Sequence, residues 1–390
     1  DLRSIFLFCT AISLIDYLRA KILTGFPWNL WAYSWSWFTE AIQILNPIGL
    51  FSFNLLTLTL FCLPVIFFLP KSKYNIVVIA IFLISFFCNY LYGNYSLNYN
   101  IGNKKNLDDD NYIDIKIISP NFELKYNLSE EETLDRIKKL VRYSNIEVNK
   151  KTLFIWPEGA LSGKYFFELK KYKDLISENF SKNHLIILGV NTLDKKENKF
   201  FNSFVIVDNK LNELFRYNKI KLVPFGEFLP FQKKLEKIGL KKITEGFGSF
   251  SRGNAQKFFS YENFSIIPLI CYEIIFPELI QKINLNNSLL VNISEDGWFG
   301  YSIGPHQHFS KSIFRAVESD SFVLRSANKG ISAIINNKGQ IIKSLKSNET
   351  GNLEYRLPVL EKKGGNKNDL IFFVLLFTYY LIFQIYKKND

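Results

Sequence analysis

Three short segments of this chain end an apolar run on a residue able to do chemistry: TLFIWPEGA (152–160) with Glu158, RYNKIKLVPFGEFLPF (216–231) with Lys219 and Glu227, and IIPLICYEIIFPEL (266–279) with Cys271. Strand ends are where α/β folds present their sites. Pro157 cannot donate to a ladder, so it stops its strand and leaves the Glu158 carboxylate at the mouth, as a general base or as a surface glutamate in a turn. Cys271 directly follows residues 266–270 and precedes the helix-compatible residues 274–280. A strand-to-helix turn there would place its sulfur near a helix N-terminus, where thiol pKa falls and backbone N–H groups can receive an oxyanion. The other reading is a buried, inert cysteine. Lys219 lies among Tyr217, Ile220 and Leu222; it is either an exposed lysine or a desolvated one that relays a proton or stabilises an oxyanion beside carboxylates.

The elements that must position these groups read as α/β. Ile113, Ile115 and Ile117 alternate with Asp114 and Lys116, which predicts a strand entered from a polar linker over 94–111. Ser129 and Glu132 form a capping-box pattern, and Leu134, Ile137, Leu140 and Val141 follow at helical spacing. Short apolar runs at 153–156, 185–190, 204–207, 266–270 and 289–293 alternate with helix-like stretches. Asn337-Lys338-Gly339 separates runs at 331–335 and 341–345, which predicts a closing hairpin. No internal repeat is visible.

Both ends of the chain are apolar. Residues 47–70 and 75–93 carry no charge and are long enough to span a bilayer, as is the stretch near 369–387. Residues 5–23 are expected to span as well, with Asp16, Arg19 and Lys21 at the interface. The expected organisation is therefore a membrane domain over 1–95 with an aromatic loop at 24–46, a soluble body over 112–358, and a C-terminal transmembrane helix. Lys71 and Lys73 favour a cytoplasmic loop and put the body on the outer side, although Lys362, Lys363 and Lys367 precede the last helix while Lys387 and Lys388 follow it. The chain opens on Asp1 and contains no Met; preceding helices are expected, and no signal-peptide cleavage site is seen. Cys9, Cys62 and Cys88 lie in apolar segments and read as small hydrophobes, leaving Cys271 without a disulfide partner.

Together the three segments resemble the nitrilase, or carbon–nitrogen hydrolase, superfamily, whose Glu-Lys-Cys triad occurs in this chain order. More narrowly, the chain resembles the apolipoprotein N-acyltransferase family. That likeness rests on WPE (156–158), YNK with LVPFGEFLP (217–230), SFSRG (249–253), CYE (271–273), WFGYSIGPHQH (298–308) and the loop TGFPWNLWAYS (24–34). It implies an αββα nitrilase-like domain inserted between transmembrane helices of the bacterial inner membrane, on the periplasmic side. It also implies Glu158 as general base, Cys271 as nucleophile, and Lys219 as oxyanion stabiliser with the Tyr272 N–H. Glu227, Tyr272 and Glu273 match supporting positions, and Trp28, Tyr126 and Trp298 are candidate lipid contacts. The implied reaction is ping-pong: an acyl chain passes from a phospholipid to Cys271 and then to the α-amine of a diacylglyceryl-cysteine on a lipoprotein. No cofactor is implied, and a monomer is expected.

Departures from the family pattern fall at Tyr126, where tryptophan is usual, at Glu295 in place of asparagine, and at Lys329 in place of asparagine. They leave the triad intact. The aromatic group of Phe26, Trp28, Trp31, Tyr33, Trp35 and Trp37 reads as interfacial anchoring or as a lid contacting lipid. His306 and His308, with only His184 besides, give poor support for a metal site. Arg315, Glu318 and Arg325 read as structural ion pairs. The net charge of +12 is dispersed rather than run together, which points to a solvated surface tolerant of anionic lipid and not to nucleic acid. Two rival readings are a membrane-tethered amidase using the same triad on a small C–N bond, and a catalytically silent lipid-binding scaffold.

Overall fold

A computed structural model describes residues 2–68, 73–102, 112–230, 249–281, 285, 287–358 and 369–388. Lys71, Lys362, Lys363, Lys367 and residues 103–111 of the expected linker lie outside it.

The soluble body is built on twelve strands: β1 (Tyr112–Ser119), β2 (Thr152–Ile155), β3 (His184–Asp194), β4 (Lys199–Val207), β5 (Glu213–Asn218), β6 (Phe259–Tyr261), β7 (Phe264–Ile270), β8 (Ser288–Glu295), β9 (Phe322–Asn328), β10 (Ser332–Ile335), β11 (Ile341–Leu345) and β12 (Gly351–Pro358). They form two six-stranded sheets, in the orders β12-β1-β2-β3-β4-β5 and β11-β10-β9-β8-β7-β6. Each sheet has a parallel centre, β1-β2-β3 in one and β7-β8-β9 in the other, with antiparallel strands outside. Strands β2, β7, β8 and β9 are almost wholly buried, as parallel strands covered on both faces must be.

The sheets face each other across one core: Ile115, Ile117, Leu153, Ile155 and Ile206 from the first meet Ile267, Leu269, Val291 and Leu324 from the second. A second cluster backs the first sheet, where Phe154, Trp156, Ile186, Leu188 and Val205 pack against Ile137 and Leu140 of the helix Glu130–Tyr143. That helix starts on the expected capping box, Ser129 Oγ accepting from Glu132 N–H and Glu132 answering at Ser129 N–H. The helix Gly304–Ser319 covers the other sheet through Phe309, Ile313, Phe314 and Val317. The layers are thus αββα, as expected.

The N-terminal region docks on that last helix. Tyr33 meets Phe314 edge-on at 4.8 Å, Trp37 lies 6.0 Å from Phe309, and Asn46 Nδ2 donates to Val317 O. The helices Leu2–Lys21, Leu50–Cys62 and Leu370–Lys388 bundle together, with Tyr17 5.1 Å from Phe372 and 4.9 Å from Phe51. Two expectations change. Of the expected span 47–70, the described residues 47–68 are not one α-helix: a short turn, Leu45–Ile48, ends at Gly49 (φ +78), the α-helix begins at Leu50, and Leu63–Phe68, which contains Pro64, tightens into a 3₁₀ segment. The helix Lys73–Gly102 runs past Gly93 and through the first half of the expected linker. Two stretches, Leu50–Phe68 and Asn75–Asn98, are long and apolar enough to cross a membrane; the first is mostly buried within the protein and the second mostly exposed.

Candidate active site

The chain brings the predicted groups to the carboxyl ends of strands from both sheets. Glu158 stands in the loop after β2, Lys219 is the first residue after β5, and Cys271 directly follows β7. All three line one cavity of about 390 Å³, together with Glu227 and Tyr272.

Lys219 is fully buried, with its ammonium 2.9 Å from Glu227 Oε1 and 3.8 Å from Glu158 Oε1. Burial alone would lower its pKa, but Glu227 and then Glu158 outweigh that and hold it above the ordinary lysine value. It is a fixed cation. Asn202, in the middle of β4, donates from Nδ2 to both Glu158 Oε1 (2.6 Å) and Glu227 Oε1 (2.9 Å). Glu227 Oε2 accepts the Val223 N–H at 2.8 Å. Glu158 Oε2 accepts the backbone N–H of Glu295 at 3.0 Å. Burial raises the Glu158 pKa above the usual carboxylate value, against the pull of Lys219. A carboxylate so placed is a stronger proton acceptor than a free one.

Cys271 takes φ +48, a left-handed conformation that costs a non-glycine residue of the order of 1–3 kcal/mol and recurs where a side chain must be aimed. The surroundings hold it there: its carbonyl accepts from His308 Nε2 (3.2 Å) and Asn292 Nδ2 (3.4 Å). The expected helix start is smaller than the sequence suggested. Cys271–Ile275 is one 3₁₀ turn, followed by the short helix Glu278–Gln281. The expected depression of the thiol pKa is also reversed. Burial first, then the Glu158 charge, push Cys271 above its ordinary value, with only partial relief from Lys219. Cys271 is therefore a neutral thiol at rest, and a thiol of this kind needs a base before it can act as a nucleophile.

Of the supporting residues, Glu273 does not reach the cavity. Its carboxylate is buried behind the turn, where it accepts from Tyr217 Oη (2.8 Å), Ile220 N (2.7 Å), Lys221 N (3.1 Å) and Ile270 N (2.9 Å), tying the Lys219 segment to the Cys271 turn. Tyr272 Oη donates to Gly25 O at 3.1 Å, which joins the Cys271 turn to the aromatic loop. Trp28, Tyr126 and Trp298 all line the cavity; the last two rings lie 5.4 Å apart, and Trp28 stacks 5.5 Å from His308 while donating to Gln307 Oε1 (2.9 Å).

Sequence reasoning gave no role to Asn202, Asn292, Asn328 or Asp296, and it did not join Asp296 to His308 and Arg325 in one buried group. Asp296 accepts from Arg325 Nη2 at 2.7 Å and lies 2.9 Å from His308 Nδ1, while Arg325 also donates to Asn292 Oδ1. Arg315 and Arg325 are both in ion pairs, as expected, the first with Glu318 and the second with Asp296. Ligand atoms of Cys271, Asp296 and His308 lie within 4.8 Å of one another. Their donor set suits a cation poorly, because the Arg325 guanidinium already occupies the Asp296 carboxylate and both imidazole nitrogens of His308 are engaged.

A buried thiol, a carboxylate and a fixed ammonium at strand ends of an αββα sandwich define a class, the thiol-dependent carbon–nitrogen hydrolases, and the profile of the carbon-nitrogen hydrolase family matches residues 116–359. At whole-chain level the similarity narrows. An apolipoprotein N-acyltransferase of Rickettsia bellii is 32% identical over 99% of this chain and 77% of its own length. Proteins of the same name from Rickettsia prowazekii (32% identical, 90% of this chain and 70% of that protein) and Rhizobium leguminosarum (30%, 87% and 64%) are similar too. The chain belongs to the apolipoprotein N-acyltransferase family within the carbon–nitrogen hydrolases. It spans between about two thirds and three quarters of the length of these relatives.

Proposed function

We propose that the protein transfers a fatty acyl chain from a phospholipid to the N-terminal α-amine of a diacylglyceryl-cysteine lipoprotein through a thioester on Cys271. The observation that carries this reading is the convergence of Glu158, Lys219 and Cys271 on one cavity whose wall includes Phe26 and Trp28 of the loop between apolar helices. In the first half-reaction Glu158 takes the Cys271 proton as Sγ attacks the sn-1 ester carbonyl. The oxyanion so formed faces Lys219 and the Tyr272 N–H. The intermediate collapses with cleavage of the ester C–O bond, Glu158 returns the proton to the departing oxygen, and lysophospholipid leaves. In the second, the lipoprotein amine attacks the thioester carbonyl, Glu158 removes a proton from the nitrogen, and the C–S bond breaks. The thiolate is then reprotonated and Cys271 is restored.

A thioester suits this task because it is reactive towards amines, and an apolar cavity keeps water away from it. Tyr126 and Trp298 flank the mouth as the lipid contacts, and Phe26 and Trp28 act as the lid. The apolar helices, with the helix Leu370–Lys388, anchor the chain in the inner membrane as a multi-pass protein with the catalytic body on the periplasmic side, and both substrates reach the cavity without leaving the bilayer. The protein acts as a monomer and binds no nucleic acid.

The test is a transfer assay. Purified protein is incubated with phosphatidylethanolamine carrying a tagged sn-1 chain and a synthetic diacylglyceryl-cysteine peptide. The tag is expected on the peptide's α-amine in a Cys271-dependent manner. Release of ammonia from small amides without peptide acylation would establish the amidase reading instead, and no turnover of either kind would leave a lipid-binding scaffold.

A further inference from the structure

Glu295 stands where the family resemblance leads one to expect asparagine, and it interlocks two parts of the site. Its backbone N–H donates to Glu158 Oε2 (3.0 Å) and its carbonyl lies 4.0 Å from Cys271 Sγ. The side chain turns back on its own strand end. Oε1 accepts the Gly297 N–H at 2.8 Å, and Oε2 accepts from Asn328 Nδ2 at 2.7 Å. It also fills the place of a side chain at 159: a Cβ on Gly159 would come within 2.1 Å of Glu295 Oε2. The carboxyl is buried, held between the Glu158 loop and the turn 295–297.

The geometry points to Glu295 as a positioning residue for the general base: its carboxyl clamps the 295–297 turn against the Glu158 loop and so fixes the N–H that orients Glu158 Oε2. This rests on the acyl-transfer reading above. The clamp carries a titration. The charged groups facing it are Glu158, Asp296 in the same turn, Arg136 of the helix Glu130–Tyr143, and Lys329 after β9. Arg136 donates to the carbonyls of Gly159 and Ala160, and Lys329 passes its chain beside Gly297 to pair with Glu123. Burial first, then the Glu158 and Asp296 charges, push the Glu295 carboxyl up to about 8 against its hydrogen bonds from Asn328 and Gly297. At neutral pH it is largely a neutral acid, as an asparagine would be neutral. Above pH 8 it adds a second negative charge beside Glu158, so ionisation of Glu295 must be visible in the acylation rate.

The test follows formation of the Cys271 acyl-enzyme from phosphatidylethanolamine by quenched intact-mass measurement between pH 5.5 and 9.5. Wild type, Glu295→Ala and Glu295→Gln are compared, with thermal unfolding of each as a fold control. Misplacing a reacting group costs about 10²-fold, and Glu295→Ala is expected to lose about that much. Glu295→Gln keeps one acceptor oxygen for the clamp, so it is expected to regain part of the loss and to lack an inflection near pH 8 that wild type shows. An alanine variant as fast as wild type, a glutamine variant no better than alanine, or superimposable pH profiles for wild type and glutamine would overturn the assignment. If alanine at 295 prevents folding, the wild-type and glutamine profiles decide alone. Wild-type protein that forms no adduct at any pH would instead sink the acyl-transfer reading.

Discussion

Glu227 Oε1 lies 2.9 Å from Lys219 Nζ, nearer than Glu158 Oε1 at 3.8 Å. The lysine's principal counter-ion is therefore not the proposed base, and Glu158 can accept a proton without leaving Lys219 as an uncompensated buried charge. Glu227→Ala removes that counter-ion. Breaking a buried pair on one side costs about 3–5 kcal/mol, so the variant is expected to unfold at distinctly lower temperature and to form acyl-enzyme at least about 10²-fold more slowly. Thermal unfolding and quenched mass measurement check the two effects separately.

Cys271 should be a poor nucleophile towards small alkylating agents at neutral pH, because burial holds its thiol above the ordinary value. Its alkylation by iodoacetamide, followed by peptide mass mapping, is expected to rise steadily from pH 7 to pH 9.5 without a plateau. Saturation below pH 7 would mean a resting thiolate and would remove the need for Glu158 as base.

Stability should fall as pH rises. Glu295 is raised to about 8 and Glu158 is raised as well, so the folded state binds their protons more tightly than the unfolded chain does. Their contribution is fully present below the unfolded carboxyl value near 4.3 and is lost as pH climbs through the folded value. The unfolding temperature is expected to decline between about pH 5 and pH 8 and then level off. Glu295→Gln should flatten most of that slope.

Trp28→Ala should impair lipid use more than thiol chemistry. The indole lines the cavity, stacks on His308 and donates to Gln307. Loss of one such aromatic contact is worth about 1–2 kcal/mol, so KM for the phospholipid is expected to rise about tenfold with little change in Cys271 alkylation. An equal loss of phospholipid use and of Cys271 alkylation would place Trp28 in the support of Cys271 instead.

The sequence was most legible where one residue type has one use. Glu158, Lys219 and Cys271 each end an apolar run, and Pro157 marks the stop before the first of them; those runs are the strands β2 and β7 and the edge of β5. Asn202 was hidden because it sits mid-strand among Phe201, Ser203 and Phe204, where a polar residue reads as an outward-facing one. Strand β12 has a mixed burial pattern and pairs with β1, more than two hundred residues away, so its place at the edge of the first sheet is set by a partner that a local window does not contain. The family likeness named Glu273 as a support but not its place: the carboxylate lies behind the Cys271 turn, held by four donors that only the folded chain assembles. The Cys271 pKa went against expectation for the same reason. Burial is a property of the whole sandwich, and it outweighs a single 3₁₀ turn.

The most direct measurement is the intact mass of the purified protein after incubation with phosphatidylethanolamine alone. One fatty-acyl increment is expected, removed by hydroxylamine, absent in Cys271→Ala, and accompanied by an equal amount of lysophospholipid. A protein of unchanged mass, or an adduct that persists in Cys271→Ala, would contradict the thioester account.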